Sequence, residues 1–156
     1  MRASVALLLP LLFALGCVSE LEHEPDASLV QALGVERAQA ETVALLTSAV
    51  SPVHSQVHVG RTALSFWSRV GVGRAFMTKV RQSFSLPFER LARARVFKNG
   101  KVYLLDAQGE NLWRARFRSP DDGARFVDLL FSLKAWTGPW PPPRLPEPGA
   151  EPPSRR

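Results

Sequence analysis

Two pairs of side chains in this sequence have the types and the spacing that metal binding or acid–base catalysis would need. His54 and His58 stand four residues apart, which places both on one face of a strand or a helix. Because no third ligand lies nearby, they make a weak metal site, and we expect two exposed strand residues. Asp121 and Asp122 could act in acid and base catalysis, but they stand where a helix begins and suit its positive end. The sequence carries no nucleophile, phosphate-loop or zinc-protease motif. It therefore predicts no enzyme, no metal and no cofactor.

Cys17 is the only cysteine among the 156 residues. It follows a basic start at Arg2 and an apolar run from Val5 to Leu15, which is the pattern of an export signal. The run contains Pro10 and is shorter than the roughly 20 apolar residues of a membrane-spanning helix. A single thiol in an exported chain is anomalous unless it is capped, so Cys17 is a candidate for modification. The alternative is an ordinary apolar residue of the signal or of a core.

The stretch "ALGC", Ala14 to Cys17, resembles the lipobox of bacterial lipoproteins. The resemblance implies cleavage after Gly16 and attachment of a diacylglyceryl group to the Cys17 sulfur. Val18, which is not aspartate, implies sorting to the outer membrane, facing the periplasm. Each buried methylene of an acyl chain contributes about 0.8 kcal/mol, and two or three chains hold a protein stably. The expected partner of Cys17 is therefore the membrane itself.

Composition divides the chain into four segments. The last segment is rich in proline and nearly free of apolar side chains, so it favours polyproline II conformation and disorder. The segment after the cysteine is acidic and polar. The prediction is a signal peptide at 1–16, an acidic spacer at 17–26, one domain at 27–137 and a disordered tail at 138–156.

The formal net charge of +6 is unevenly distributed. Residues 17–50 carry six acids against Arg37 alone, whereas residues 51–118 carry thirteen Lys and Arg against three acids. In a cytosolic protein such a basic segment would suggest nucleic acid. Export makes that partner improbable, and the remaining polyanions are anionic lipid, lipopolysaccharide and acidic faces of envelope proteins. The acidic segment of this chain is a further candidate.

The strand pattern between residues 53 and 118 ends in three short runs that are joined by turns. Asn99-Gly100 suits a two-residue hairpin turn, which would pair Lys98 with Lys101. Alternation then defines one apolar face. That predicted face comprises Ala94, Val96, Tyr103, Leu105, Trp113, Ala115 and Phe117.

The opposite face of the same three strands is predicted to carry arginine. Its basic residues are Arg93, Arg95, Arg114, Arg116 and Arg118. Five guanidinium groups on one face repel one another unless acidic groups relieve them. Two alternatives follow: the acidic N-terminal helix docks on this face, or the face is open to an anionic surface outside the chain.

Helices are predicted at both ends of the domain. Residues 27–50 have helical spacing that is interrupted at Gly34, and Ser119 is an N-cap for an amphipathic helix that stops at Gly138. The fold class is α+β: an antiparallel sheet or open barrel of about five to six strands, closed by the C-terminal helix, with an N-terminal helix. Residues 84–136 resemble in texture the pleckstrin-homology-like roll, and that resemblance implies that the last helix closes the barrel.

These features indicate a membrane-anchored, non-catalytic envelope lipoprotein that acts as a binding or scaffold module through its basic sheet face. The alternative is a carrier of a small molecule or lipid. A carrier needs an interior apolar cavity of about 300 Å³ or more.

Overall fold

The computed structural model describes residues 19–72 and 78–141, and Cys17 and most of the proline-rich tail lie outside these ranges. The helices are α1 (Leu29–Leu33), α2 (Val35–Thr47) and α3 (Pro120–Ala135). The strands are β1 (Glu20–Leu21), β2 (His54–Val59), β3 (Ala63–Val72), β4 (Thr78–Pro87), β5 (Arg93–Phe97), β6 (Lys101–Leu105) and β7 (Asn111–Arg116). All strand pairs described are antiparallel, which confirms the α+β class.

The strands form two sheets that do not close into a barrel. One sheet has the order β1-β5-β6-β7, and the other has the order β2-β3-β4. The segment between α2 and β2 links them. The Arg116 amide donates to the Ser51 carbonyl at 2.7 Å, and the Arg69 amide donates to the Val53 carbonyl at 3.2 Å. One short stretch of chain therefore holds β7 of the first sheet beside β3 of the second.

The helix ends follow the sequence signals. Gly34 separates α1 from α2 with a φ of +80°, a conformation that costs glycine little. Ser119 caps α3 by accepting a hydrogen bond from the Asp122 amide at 3.0 Å, and Pro120 occupies the first turn. Both the break at Gly34 and the cap at Ser119 are confirmed.

The predicted register of β5 and β6 is wrong by one residue. The structure pairs Val96 with Val102, and a three-residue loop, 98–100, replaces the two-residue turn. Gly100 closes this loop with a φ of +77°, and a Cβ built there would lie 2.6 Å from the Phe117 carbonyl oxygen. Because side chains alternate along a strand, a shift of one exchanges the faces of β6. Val102 and Leu104 are buried, and Tyr103 and Leu105 lie on the outer face.

The core lies between the inner face of the four-stranded sheet and α3. Trp113 and Phe117 are buried, as predicted, and both contact Phe126 of α3 with ring centroids 5.7 and 4.9 Å apart. α2 packs against α3 and β2. The Arg125 Nε of α3 donates to Glu41 Oε1 of α2 at 2.7 Å.

The folded unit extends beyond the predicted domain limits of 27 and 137. Glu20 and Leu21 of the predicted spacer form β1 at the edge of the first sheet. His23 Nε2 lies 2.8 Å from Asp128 Oδ1 of α3. At the other end, Trp140 is partly buried against the core. Residues on both sides of the predicted domain therefore belong to it.

Candidate functional site

The outer face of the four-stranded sheet carries the five arginines that the sequence singled out. Their side chains alternate with residues that face the core, and each is exposed. They are Arg93 and Arg95 on β5, Arg114 and Arg116 on β7, and Arg118 just after β7. We call this surface the basic face. β6 runs between its two halves, so β5 and β7 are not adjacent.

The β5 half of the basic face is partly neutralised from within the chain. Arg95 donates to Glu20 Oε2 from Nε at 2.9 Å and from Nη2 at 2.5 Å. These hydrogen bonds lower the pKa of Glu20 and raise the pKa of Arg95. The Arg95 guanidinium also stands 5.3 Å from the centre of the Phe97 ring. Its charge therefore has a partner before any ligand binds.

The β6–β7 half has a different character, and the sequence did not reveal it. The corrected register places Lys101 beside Arg116 and Tyr103 beside Arg114 across the two strands. Among the described residues, none of the four ion pairs involves Lys101, Arg114 or Arg116. The predicted two-residue turn placed Tyr103 in the core and did not mark Lys101 as a site residue. Their positions on the outer face follow only from the three-residue loop that ends at Gly100.

A groove of about 410 Å³ runs along this half of the face, between the sheet and the segment that joins α2 to β2. It is open to solvent. Its lining includes Ser51, Pro52, Lys101, Tyr103, Arg114 and Arg116. Three cationic residues and two residues that carry a hydroxyl group thus line one concave surface, a combination that suits an oxyanion.

The acidic N-terminal helix does not cover the basic face. α2 lies against α3 and β2, and its Glu41 pairs with Arg125, whose hydrogen bonds lower the pKa of that carboxyl. Of the acidic residues at positions 20–41, Glu20 is the one that pairs with an arginine of the basic face in the described structure. The docked-helix alternative is therefore wrong for α2, and among the described residues the relief of the basic face is limited to Arg95.

The two histidines do not share a face, so the expectation of two exposed strand residues is wrong for His54. The pairing of β2 with β3 is irregular between Ser55 and His58, and Gln56 has a φ of +50°. This irregularity changes the alternation, so that His54 is 2% exposed and His58 lies at the surface. In the described residues, no cluster of three or more His, Cys, Asp or Glu side chains is arranged to hold a metal.

His54 is instead part of the core between the two sheets. Its ring centroid lies 4.8 Å from that of Phe66 and 5.4 Å from that of Trp113. Both ring nitrogens lack a hydrogen-bond partner among the described residues, and burial lowers the pKa of His54 to about 4. The ring is therefore neutral at physiological pH, and it sits in the aromatic cluster as an apolar side chain would.

A second groove, of about 670 Å³, lies between α2 and β2. Val43, Val57, His58 and Trp140 are among the residues that line it, and it opens to solvent. It lies on the outside of the helix, away from the sheet interior. The residues that would line an interior cavity, such as Val102, Leu104 and Phe126, are fully buried against their neighbours.

Asp121 and Asp122 lie in the first turn of α3, where the helix dipole favours negative charge.

Among the described residues, no helix has the length and apolarity to cross a membrane. Comparison with protein-family models, with curated proteins and with solved structures gave no match.

Proposed function

We propose that this chain is a non-catalytic envelope lipoprotein, anchored through lipidated Cys17, that binds an anionic surface through its basic face. The observation that carries the proposal is the cluster of Lys101, Arg114 and Arg116, which are exposed neighbours without an acidic partner among the described residues.

Cross-strand pairing explains why this cluster favours an anion. Like charges that stand directly opposite on neighbouring strands destabilise a sheet, and Lys101 stands opposite Arg116. Arg114 lies two residues along the same strand as Arg116, on the same face. A bound anion would relieve this repulsion at no cost to the core, because Val102 and Ala115, which alternate with these cations, face inward.

The proposed anchor brings the basic face close to a membrane. Cys17 precedes Glu20, the first residue of β1, by three residues, and three extended residues span at most about 11 Å. β1 is the edge strand of the sheet that carries the basic face. A lipidated Cys17 would therefore hold the β1 edge of this sheet within about 11 Å of the anchor, which is comparable to the Debye length of about 8 Å at physiological ionic strength.

The carrier alternative receives no comparable support. It requires an interior cavity in the sheet, and the inner-face side chains of β6 and β7 are packed against α3 instead. An envelope protein with an acidic face is a second kind of anionic partner for the basic face. The short anchor favours the membrane over such a protein as the partner.

Vesicle sedimentation tests the proposal. The proposed mature chain, residues 17–156, is made with Cys17→Ser, so that neither the apolar signal nor lipidation by itself drives binding, and is mixed with vesicles of phosphatidylcholine alone or with added phosphatidylglycerol. We expect sedimentation with the anionic vesicles only, and a steady loss of binding as salt is raised. Equal binding to both vesicles, or none to either, would contradict the proposal.

A further inference from the structure

We infer that the groove lined by Ser51, Lys101, Tyr103, Arg114 and Arg116 is a site for the phosphate group of a lipid head group. The inference rests on the proposed function and makes it more specific, because it assigns recognition to one half of the basic face. We call this surface the phosphate groove.

The lining of the phosphate groove supplies what a phosphate group needs. The lysine ammonium offers three donors, and each guanidinium offers a planar fork that can hold two phosphate oxygens. Ser51 and Tyr103 line the same surface, and each carries a hydroxyl group that can serve as a neutral donor. Charge-assisted hydrogen bonds of this kind are stronger than neutral ones. At about 410 Å³ the groove is larger than a bare phosphate ion requires and has room for a lipid head group.

Backbone hydrogen bonds hold the two walls of the groove together. The Val50 amide donates to the Arg116 carbonyl at 2.7 Å, and the Arg116 amide donates to the Ser51 carbonyl at 2.7 Å. Arg116 lies in the sheet wall, and its backbone is hydrogen-bonded to the other wall. On the opposite side of β7, the hydrogen bonds to β6 set the positions of Lys101 and Tyr103. A site formed in advance spends less binding free energy on ordering its own groups.

The rest of the basic face is a poorer site for the same ligand. Arg95 is already hydrogen-bonded to Glu20, whose carboxylate would repel a phosphate. Arg93 and Arg118 are exposed but are not part of the groove lining. These two arginines have the same charge and lie on the same face, so they provide a matched control.

The proposed anchor can place the phosphate groove at a membrane. Neighbouring strands are separated by about 4.8 Å, so β7 lies roughly 14 Å from β1 across the sheet. The chain from Cys17 to β1 spans at most about 11 Å. The groove is therefore within reach of the head groups of the leaflet in which the anchor would sit, and this favours a lipid over a phosphate ester in solution.

Tyr103 is the only tyrosine in the chain, so a tyrosine label reports on the groove alone. The proposed mature chain, residues 17–156 with Cys17→Ser, is labelled with carbon-13 in its tyrosine ring, and its NMR signal is followed during titration with glycerol phosphate and with phosphatidylglycerol vesicles. Vesicle affinity is measured in parallel by sedimentation. The groove variant is Lys101→Gln with Arg116→Gln, and the control variant is Arg93→Gln with Arg118→Gln.

We expect glycerol phosphate to shift the Tyr103 signal to a plateau in the parent chain and in the control variant, and to leave it unmoved in the groove variant. We also expect the groove variant to lose about tenfold more vesicle affinity than the control variant. The Tyr103 signal of each variant before titration shows that the variant is folded.

Three results would overturn the inference while leaving the proposed function intact. In the NMR titration these are no shift of the Tyr103 signal in a parent chain that still binds vesicles, or an unchanged shift in the groove variant. In sedimentation it is an equal loss of vesicle affinity in the two variants. A shift with glycerol phosphate but not with vesicles would overturn the lipid as the source of the phosphate. Failure of the parent chain to bind anionic vesicles would instead overturn the proposed function.

Discussion

Arg95 of β5 donates two hydrogen bonds to a single carboxylate oxygen of Glu20 in β1, at 2.9 and 2.5 Å. The two residues are 75 positions apart in the sequence. This contact ties the edge strand to the sheet and neutralises one of the five arginines. The free positive charge of the basic face is thereby concentrated on β6 and β7.

The first prediction concerns this contact. Glu20→Gln should raise the affinity of the chain for anionic vesicles by roughly fivefold, because it frees the charge of Arg95 on the face that is proposed to bind the membrane. Thermal stability should change little, since both side chains are substantially exposed. Glu22→Gln removes the same charge from an exposed neighbouring position and is the control. Equal gains in vesicle affinity from both variants would show a general charge effect and contradict the role of Glu20.

The second prediction concerns the loop that sets the register of β6. Gly100 and Gly109 both have positive φ, +77° and +84°, but a Cβ at Gly100 would meet the Phe117 carbonyl oxygen, whereas a Cβ at Gly109 would meet nothing within 4 Å. We expect Gly109→Ala to lower the free energy of unfolding by about 1 kcal/mol. Gly100→Ala should lower it by about 3 kcal/mol. Equal losses in chemical denaturation would contradict the close approach of Gly100 to the Phe117 carbonyl and would favour the two-residue turn that pairs Lys98 with Lys101.

The elements that the sequence predicted well depend on local residues. The helix start at Ser119 and the break at Gly34 follow from side-chain chemistry within a few positions. Burial of Trp113 and Phe117 follows because the alternative would have buried arginine. Each of these predictions needs only the residues of one short segment.

The features that the sequence did not reveal depend on distant contacts or on single-residue changes of alternation. Asn99-Gly100 fits both a two-residue turn and a longer loop, and the close approach of Gly100 to Phe117 accompanies the longer one. That difference moves Tyr103 to the outer face and creates the phosphate groove. The irregularity at Gln56 similarly buries His54. No periodic pattern marks either irregularity.

The third prediction concerns acid stability. Burial lowers the pKa of His54 from 6.5 to about 4, so between these values the unfolded chain binds a proton that the folded chain does not. Stability should therefore fall as pH drops below about 6.5 and should be unaffected by this group at higher pH. Between pH 7 and pH 5 we expect a loss of about 1 to 2 kcal/mol that His54→Phe abolishes.

His58→Phe, at an exposed position of the same strand, is the control for replacing a histidine of β2 by phenylalanine. Denaturant unfolding at several pH values measures all three proteins. A His54→Phe variant that keeps the parent's full pH dependence would show that His54 is protonated as readily in the folded chain as in the unfolded one.

The fourth prediction concerns the anchor. Cys17→Ser should move the protein out of the membrane fraction and abolish labelling with a fatty-acid analogue, because a thioether-linked diacylglyceryl group would be lost. Cell fractionation and metabolic labelling measure the two effects. Ser19→Ala, at an exposed position outside the lipobox, is a nearby control that keeps the thiol. Unchanged membrane retention together with an unlabelled parent protein would rule out the lipoprotein interpretation.

The most direct measurement of the central claim compares two triple variants of the Cys17→Ser chain for binding to phosphatidylglycerol vesicles. One carries Arg114→Gln, Arg116→Gln and Arg118→Gln on the basic face. The other carries Arg37→Gln, Arg61→Gln and Arg69→Gln, which remove the same charge from exposed positions elsewhere. We predict a loss of about 100-fold in affinity for the first and only a few-fold loss for the second, with both remaining as heat-stable as the parent. Equal losses in the two variants, or an unchanged affinity in the first, would contradict the assignment of binding to this face.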